Sequence, residues 1–464
     1  MSKIEVEVEL PERLHNYRFP KPADDPKKAI RASINVLNIG PKKIMYPLVS
    51  MPYLSVLTTF FIEAGYRPSM VPYLWGESGS FKSTLMALIL SHHGTFTSMT
   101  LPASFRGTTF SVEEMGYTLK DSLFVVDDLK RTTDRVLKQK MFTVLGNLLR
   151  IYGDGQDRSR LESNKESSGM KLQKYRPAGG LLVVTGEYSP TDGSSPSDLA
   201  RMFSLPIKKG DIDGVKLTEA QGQTELLAQS MLGYIEWLIP QLDDMSARLE
   251  YDFIKYRTKA QESAKAGRHE RLNSAVAHLY MGLWFFFRFA VDMEAMTQED
   301  MDKRLVEAWK VLNDDADEQT ELGKKHDEAQ VLSEVYSELM AQNLIYTLTM
   351  NDPIQPKSGF DEPVNPRRPR VLVGYGPDKN GLYYMMMSTL IDQVNGMLRG
   401  QGEINNLITV DGVLGALDSK KLLVLEDSKA KKHDRQFRKT IGGGTKYVSA
   451  IKEEFFNQPA EVEE

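Results

Sequence analysis

Cysteine is absent from the 464 residues. That excludes disulfides, thiolate nucleophiles and cysteine-liganded zinc, including a zinc-binding primase module. Histidines number seven, and the adjacent pair His92 and His93 stands at a helix end with no acidic metal partner at a suitable spacing. Long apolar runs are missing too. The most apolar stretch, AVAHLYMGLWFFFRFAV (275–291), is interrupted by His278 and Arg288, whereas a membrane span needs about 20 largely apolar residues. It reads as a buried helix. The N-terminus, MSKIEVEVELPERLHNYRF, lacks the apolar core of a secretory signal, so the expected location is cytoplasmic with no membrane partner. Nor is there a strong positive charge. With a formal net charge of −5, any nucleic-acid binding must rest on local basic patches.

What is present is ordinary for a globular protein: 41% hydrophobic and 26% charged residues, in a chain long enough for two or three domains. Four short apolar runs suit buried strands of a parallel sheet: MVPYLWG (70–76), SLFVVDD (122–128), GGLLVVTGE (179–187) and ARMFSLPIK (200–208). Helical segments alternate with them, which predicts an α/β core over 67–215. Ahead of it, 1–66 reads as a charged arm followed by helices around a Gly-Pro break. Behind it, 216–350 is helical in pattern and 351–370 is a proline-rich linker. The remainder, 371–464, opens with RVLVGYG and GLYYMMM, which pair as strands, and closes on the acidic AEVEE. Between them come two helices, a strand, and two strands joined by a basic hairpin, the order of a winged helix.

The stretch GESGSFKST, Gly76–Thr84, carries the parts of a phosphate loop. Such a loop leaves a buried strand, wraps backbone N–H groups around phosphates and enters a helix whose N-terminus favours anions. Gly76, Glu77, Ser78, Gly79, Ser80 and Phe81 would form the wrap, Lys82 would reach the β- and γ-phosphates, and Ser83, followed by Thr84, would hold Mg²⁺. The expected cofactors are therefore ATP and Mg²⁺. Phe81 stands where glycine is usual; since backbone atoms do the cradling, its ring is expected to point away from phosphate.

Further down the chain, SLFVVDDLK supplies an apolar strand ending in acids. Asp127 would orient Mg²⁺ and Asp128 would position or deprotonate the attacking water; a helix-capping aspartate is the plainer alternative. The third strand ends in Thr185, Gly186 and Glu187, either of whose polar side chains could sense the γ-phosphate. Arg201, just before the fourth strand, is a candidate to reach into a neighbouring subunit's site, with Arg158 and Arg160 as competitors. The insertion 150–177 is polar and basic; Arg158, Arg160, Lys165, Lys171 and Lys174 could follow phosphates and Tyr175 could stack, unless it is merely a solvated loop. Arg438 and Lys439 lie in the basic hairpin, where Gly442–Gly444 suit the turn. Asp211 and Asp213, in the turn KKGDIDG, resemble a primase-like acidic pair only superficially.

The ordered set GESGSFKST, DSLFVVDD, RPAGGLLVVTGE and DLARMFSLPI resembles the helicase core of bacterial mobile elements, phages and plasmids, over roughly 30–240. Those ATPases are similar to the superfamily 3 and minichromosome-maintenance helicases of the AAA+ class. The resemblance implies an AAA+-type P-loop core with a C-terminal winged helix, working as a homo-oligomeric ring, a hexamer, on single-stranded or forked DNA. It also implies Lys82 and Ser83 at the triphosphate, Asp127 and Asp128 in the magnesium and water roles, and Arg201 acting in trans. The family's sensor asparagine falls near Glu187, and the minichromosome-maintenance loop has alanine at the position of Phe81. A second reading is an ATP-switched initiator or helicase loader, with replication proteins as partners; a defence or signalling ATPase would need an effector motif, and none is visible.

Overall fold

The four apolar runs are uniformly apolar because both faces of their sheet are covered. In the computed structural model, which describes residues 9–155, 161–163, 170–172, 178–192, 196–324, 328–349, 370–401, 407–427, 433–441 and 444–456, the chain falls into two compact units, Met1–Leu322 and Gly323–Glu464. The first unit holds strands β1 (Val71–Trp75), β2 (Ala103–Ser104), β3 (Lys120–Leu129), β4 (Leu161–Ser163), β5 (Met170–Leu172), β6 (Gly179–Gly186) and β7 (Met202–Pro206). Five of these make one sheet in the order β2-β3-β6-β1-β7, all neighbours parallel, while β4 and β5 pair antiparallel on their own. Successive side chains of a strand point to opposite faces, and here they feed two cores. Leu74, Val125, Val183 and Phe203 join one; Tyr73, Val126, Val184 and Met202 join the other.

Helices α1 (Pro26–Val36), α2 (Lys42–Ser55), α3 (Thr58–Glu63) and α4 (Lys82–Leu90) contribute to the first core. The second face is covered by α5 (Thr109–Thr118) and α6 (Arg135–Asp154). After the short α7 (Pro196–Leu199) come α8 (Gly214–Gln221), α9 (Thr224–Leu238), α10 (Met245–Glu262), α11 (Glu270–Asp292) and α12 (Gln298–Lys324). Residues of α8 to α12 share the first core with α1 to α4. Helix α2 runs through Pro47 and Pro52, and every residue from Ile44 to Ser55 is buried. Tertiary packing there overrides the local preference against interior proline. Helix α11 is long and apolar enough by composition to cross a membrane, and 78% of its apolar window is buried inside the protein.

The charged N-terminal stretch, expected as an arm, is anchored to the first unit at Leu14 and Tyr17. Leu14 is fully buried and Tyr17 donates its hydroxyl to the Leu123 carbonyl at 2.8 Å. The β7 edge is closed by a side chain: Gln319 of α12 accepts from the Ser204 N–H at 2.8 Å and donates to the Met202 carbonyl at 2.7 Å. That satisfies ladder groups a sheet edge would otherwise leave unpaired.

In the second unit, α13 (Glu328–Ala341) precedes β8 (Ile345–Leu348), β9 (Val371–Tyr375) and β10 (Leu382–Met385). Helices α14 (Met387–Gly400) and α15 (Val410–Ser419) follow, then β11 (Leu423–Val424), β12 (Glu426–Asp427), β13 (His433–Asp434), β14 (Phe437–Ile441) and β15 (Gly444–Lys452). RVLVGYG and GLYYMMM do pair, as antiparallel β9 and β10, within the sheet β11-β15-β10-β9-β8; β14 pairs with β15 beside it. Leu332, Leu390, Val413 and Ile451 are among the residues whose packing binds the three helices to this sheet.

Candidate active site

Three strands end their carboxyl termini side by side in the middle of the first sheet. Strand β1 leads into Gly76–Phe81 and then α4; β3 ends in Asp127, Asp128 and Leu129; β6, ending in Thr185 and Gly186, lies between them. The crevice outside the carboxyl ends of parallel strands is where ligands bind in open α/β sheets. Here a cavity of about 270 Å³ is lined by Ser78 to Thr84, Asp127, Asp128, Lys130 and Thr185 to Glu187.

The loop's shape follows from local residues. Gly76 admits no side chain: a Cβ there would stand 1.9 Å from the Ile207 carbonyl oxygen. Phe81 is the residue before α4, adopts φ 65°, ψ 15°, the left-handed conformation, and is half-exposed. This supplies the physical reason for glycine at that place in such loops: glycine occupies the left-handed region without the Cβ penalty. Phe81 occupies it at a cost, and its backbone still delivers the chain into the helix.

Lys82 folds back on the loop, donating to the carbonyls of Gly76 and Glu77, both at 2.8 Å, and to Ser80 Oγ at 3.2 Å. Burial lowers its pKa, while the carboxylates of Glu187, Asp127 and Asp128 oppose that shift. Ser83 Oγ donates to Asp127 Oδ1 at 3.0 Å. Thr185, almost fully buried, donates its hydroxyl to the same oxygen and accepts from the Asp128 N–H at 3.2 Å. The Gly76–Thr84 segment, the acid pair and the third strand are thus joined through one carboxylate oxygen.

Both acids reach one site because β3 bulges. Pairing with β6 jumps from Val126↔Val184 to Leu129↔Gly186, so Asp127 and Asp128 together oppose Thr185. Asp128 takes φ 69°, a conformation aspartate tolerates better than most residues. Without the bulge, adjacent residues would face opposite sides of the sheet. Sequence spacing held no sign of it. It held none of Arg106 either, whose Nε lies 3.7 Å from Asp128 Oδ2. Glu187, half-buried, accepts from the Arg131 N–H at 3.1 Å on the cavity rim, and the exposed Glu77 pairs with Lys209 at 3.5 Å.

Other sequence candidates lie elsewhere. Arg201 does not line the cavity; its guanidinium grips Asp154, Nε to Oδ1 at 3.0 Å and Nη2 to Oδ2 at 2.7 Å. Arg158, Arg160, Lys165, Lys174 and Tyr175 are outside the described residues, as are Gly442 and Gly443. Lys171 is in β5, paired with Glu162 of β4. In the β14–β15 hairpin Arg438 is exposed opposite Tyr447, whereas Lys439 sits 3.8 Å from the centre of the Tyr384 ring. His92 and His93 are buried and bonded to Ser33 and Ser55, and burial pushes their pKa values down to about 4 and about 3. Asp213 caps α8, accepting from Val215 and Lys216, and Asp211 accepts from the Lys208 N–H in the preceding turn.

Comparison with known proteins is informative at the level of fold. No family model matches the chain, and no curated protein does. Among solved structures, a chain described as "SCCmec type IV Cch - active helicase" matches with a TM-score of 0.54 and 14% sequence identity, over 92% of this chain and 70% of that one. The chain therefore has a fold similar to that of the described helicase.

Proposed function

We propose that this chain is an ATP-dependent DNA helicase or translocase serving replication of a mobile element, plasmid or phage, built on an AAA+-type core. The observation that carries the reading is the single carboxylate oxygen of Asp127 shared by Ser83 of the phosphate loop and Thr185 of the intervening strand. The described neighbour, an active helicase of similar fold, supports it.

ATP phosphates would enter the loop Gly76–Thr84. Lys82, now held by loop carbonyls, would exchange them for phosphate oxygens, a stronger charge-assisted partner. Among the described residues no cluster of three or more His, Asp or Glu could cage a metal. Ser83 and Asp127 instead offer the few hard oxygens that suit Mg²⁺ beside a triphosphate; when bound, the ion would neutralise phosphate charge. Asp128 would orient and deprotonate water, and Thr185 holds Asp128's backbone and Asp127's carboxylate in register. Glu187 or Thr185 would report the γ-phosphate. We further propose a homo-oligomeric ring, hexameric, with nucleotide between subunits in the cytoplasm. In the functional division 1–66, 67–215, 216–350, 351–370 and 371–464, α14, α15 and the β14–β15 hairpin would act as a winged helix.

Strand displacement tests the reading: ATP-dependent unwinding of a forked duplex is expected. Hydrolysis indifferent to DNA, with no unwinding of forks of either polarity, would refute it. Nucleotide-dependent assembly on DNA without unwinding would favour the initiator or loader.

A further inference from the structure

Asp154, the last residue of α6, is held by two arginines at once. Arg201 makes a two-bond fork to it, and a third nitrogen of the same guanidinium donates to the Ser197 carbonyl. Arg271, in the first turn of α11, donates to Asp154 Oδ1 at 2.9 Å and to the Gly153 carbonyl at 3.2 Å. The side chains of Arg201 and Asp154 are only 12% and 14% exposed. Gly153 makes room for the fork, because a Cβ there would lie 2.7 Å from Arg201 Cδ. Cations at a helix C-terminus are also favoured by its dipole. The arginines hold Asp154's pKa below its usual value against the opposing effect of burial.

The same arginine is tied to the phosphate-loop strand. The Val71 N–H, at the start of β1, donates to the Arg201 carbonyl at 2.8 Å. Because β1 and β7 run parallel, this junction lies at the sheet edge opposite the cavity, about 17 Å away for a five-residue strand. Helix α6 starts at its Asp134 cap, shortly after the acid strand β3, and ends at the clamp just before the chain continues to the β4–β5 pair. At 1.5 Å per residue it is a rod of about 30 Å. It runs from the acid-bearing strand to the clamp.

We propose that Arg201 is a positioning residue acting within its own subunit, where with Arg271 it clamps Asp154 and so couples the α6 rod and the β4–β5 insertion to the hydrolytic site. This rests on the reading of the cavity as a nucleotide site and departs from a trans-acting role for Arg201. A guanidinium engaged in a fork, a carbonyl and a tight glycine passage is committed in cis.

The test uses the full chain with Arg201→Ala, Arg201→Lys, Asp154→Asn and the Arg201→Ala/Asp154→Asn double variant. ATP hydrolysis is measured with and without single-stranded DNA, below the melting temperature recorded for each. Misplacing a distant support is expected to cut the DNA-stimulated rate about tenfold or more, while the DNA-free rate changes less than about threefold. Asp154→Asn should match Arg201→Ala, and the double variant should be no worse than either, as for two members of one contact. Arg201→Lys, which keeps the charge but not the fork, should fall between and supplies a folded comparison if Arg201→Ala fails to fold. Two results would overturn the proposal: Asp154→Asn behaving as wild type, or hydrolysis restored on mixing Arg201→Ala with Lys82→Ala subunits, as a trans-acting arginine requires. A wild-type chain that hydrolyses no ATP at all overturns the nucleotide reading itself, and is told apart by that alone.

Discussion

Replacing Phe81 separates the backbone's role in the loop from the side chain's. Phe81 holds φ 65° and the residue is 47% exposed. The left-handed conformation costs a non-glycine residue about 1–2 kcal/mol. Glycine relieves it but brings an unfolded-state entropy cost of about 0.5–1 kcal/mol. Losing the half-buried ring forfeits roughly 1 kcal/mol of apolar burial. The terms nearly cancel, so Phe81→Gly should leave stability within about 1 kcal/mol, a melting shift of no more than about 2–4 °C. Phe81→Ala keeps the strain and loses the ring, so it should be less stable by roughly 1 kcal/mol. Phe81→Val, β-branched in the left-handed region, should be worse still. Thermal melts give the order and steady-state ATP hydrolysis gives the function, with much of the rate expected to survive in Phe81→Gly. An alanine variant as stable as the glycine one would refute the backbone account. So would a glycine variant as inactive as Lys82→Ala.

Other substitutions probe the site's remaining links. Asp128→Asn should lower hydrolysis by about 10²–10⁴-fold if it moves the water proton, with nucleotide affinity by calorimetry largely kept; equal loss of both would count against that role. Thr185→Val keeps the shape but strips Asp127 of a donor and leaves the Asp128 N–H without its acceptor. It should destabilise by about 1–3 kcal/mol and raise the Mg²⁺ concentration needed for half-maximal hydrolysis; an unchanged Mg²⁺ titration would dissociate Thr185 from the metal. On α12, burial, with help from Glu318 and Asp314 and against Lys43, pushes the Asp315 pKa up to about 8, and its Oδ2 has no hydrogen-bond partner among the described residues. The folded state therefore keeps a proton that the unfolded chain releases above its ordinary value of 3.8, so this contribution to stability falls as pH rises from about 4 to about 8. Asp315→Asn should raise the melting temperature more at pH 8 than at pH 5, and equal gains would contradict the sign.

The strands were legible because a buried parallel strand leaves a continuous apolar run, and the tight loop from β1 into α4 was legible because Gly76 and Gly79 mark it. The bulge at Asp127 and Asp128 was not legible, since a register shift depends on which strand lies alongside. Nor was the run of α2 through Pro47 and Pro52, where packing outweighs local propensity. The packed N-terminal stretch was hidden by its charge: Leu14 and Tyr17 anchor it, while the residues around them stay in water. Arg201 illustrates the limit for sites. Its place before the fourth strand suggested reach, and only the geometry revealed Asp154 as its partner.

The central claim is that the Gly76–Thr84 loop and the Asp127–Asp128 bulge form one ATP-hydrolysing site that DNA drives. Steady-state ATP hydrolysis by the wild-type chain and Lys82→Ala, each with and without single-stranded DNA, tests it most directly. The account predicts wild-type hydrolysis stimulated by the strand, and a rate at least about a hundredfold lower in Lys82→Ala under both conditions. Hydrolysis that survives the lysine change, or a wild-type rate indifferent to DNA, would contradict it.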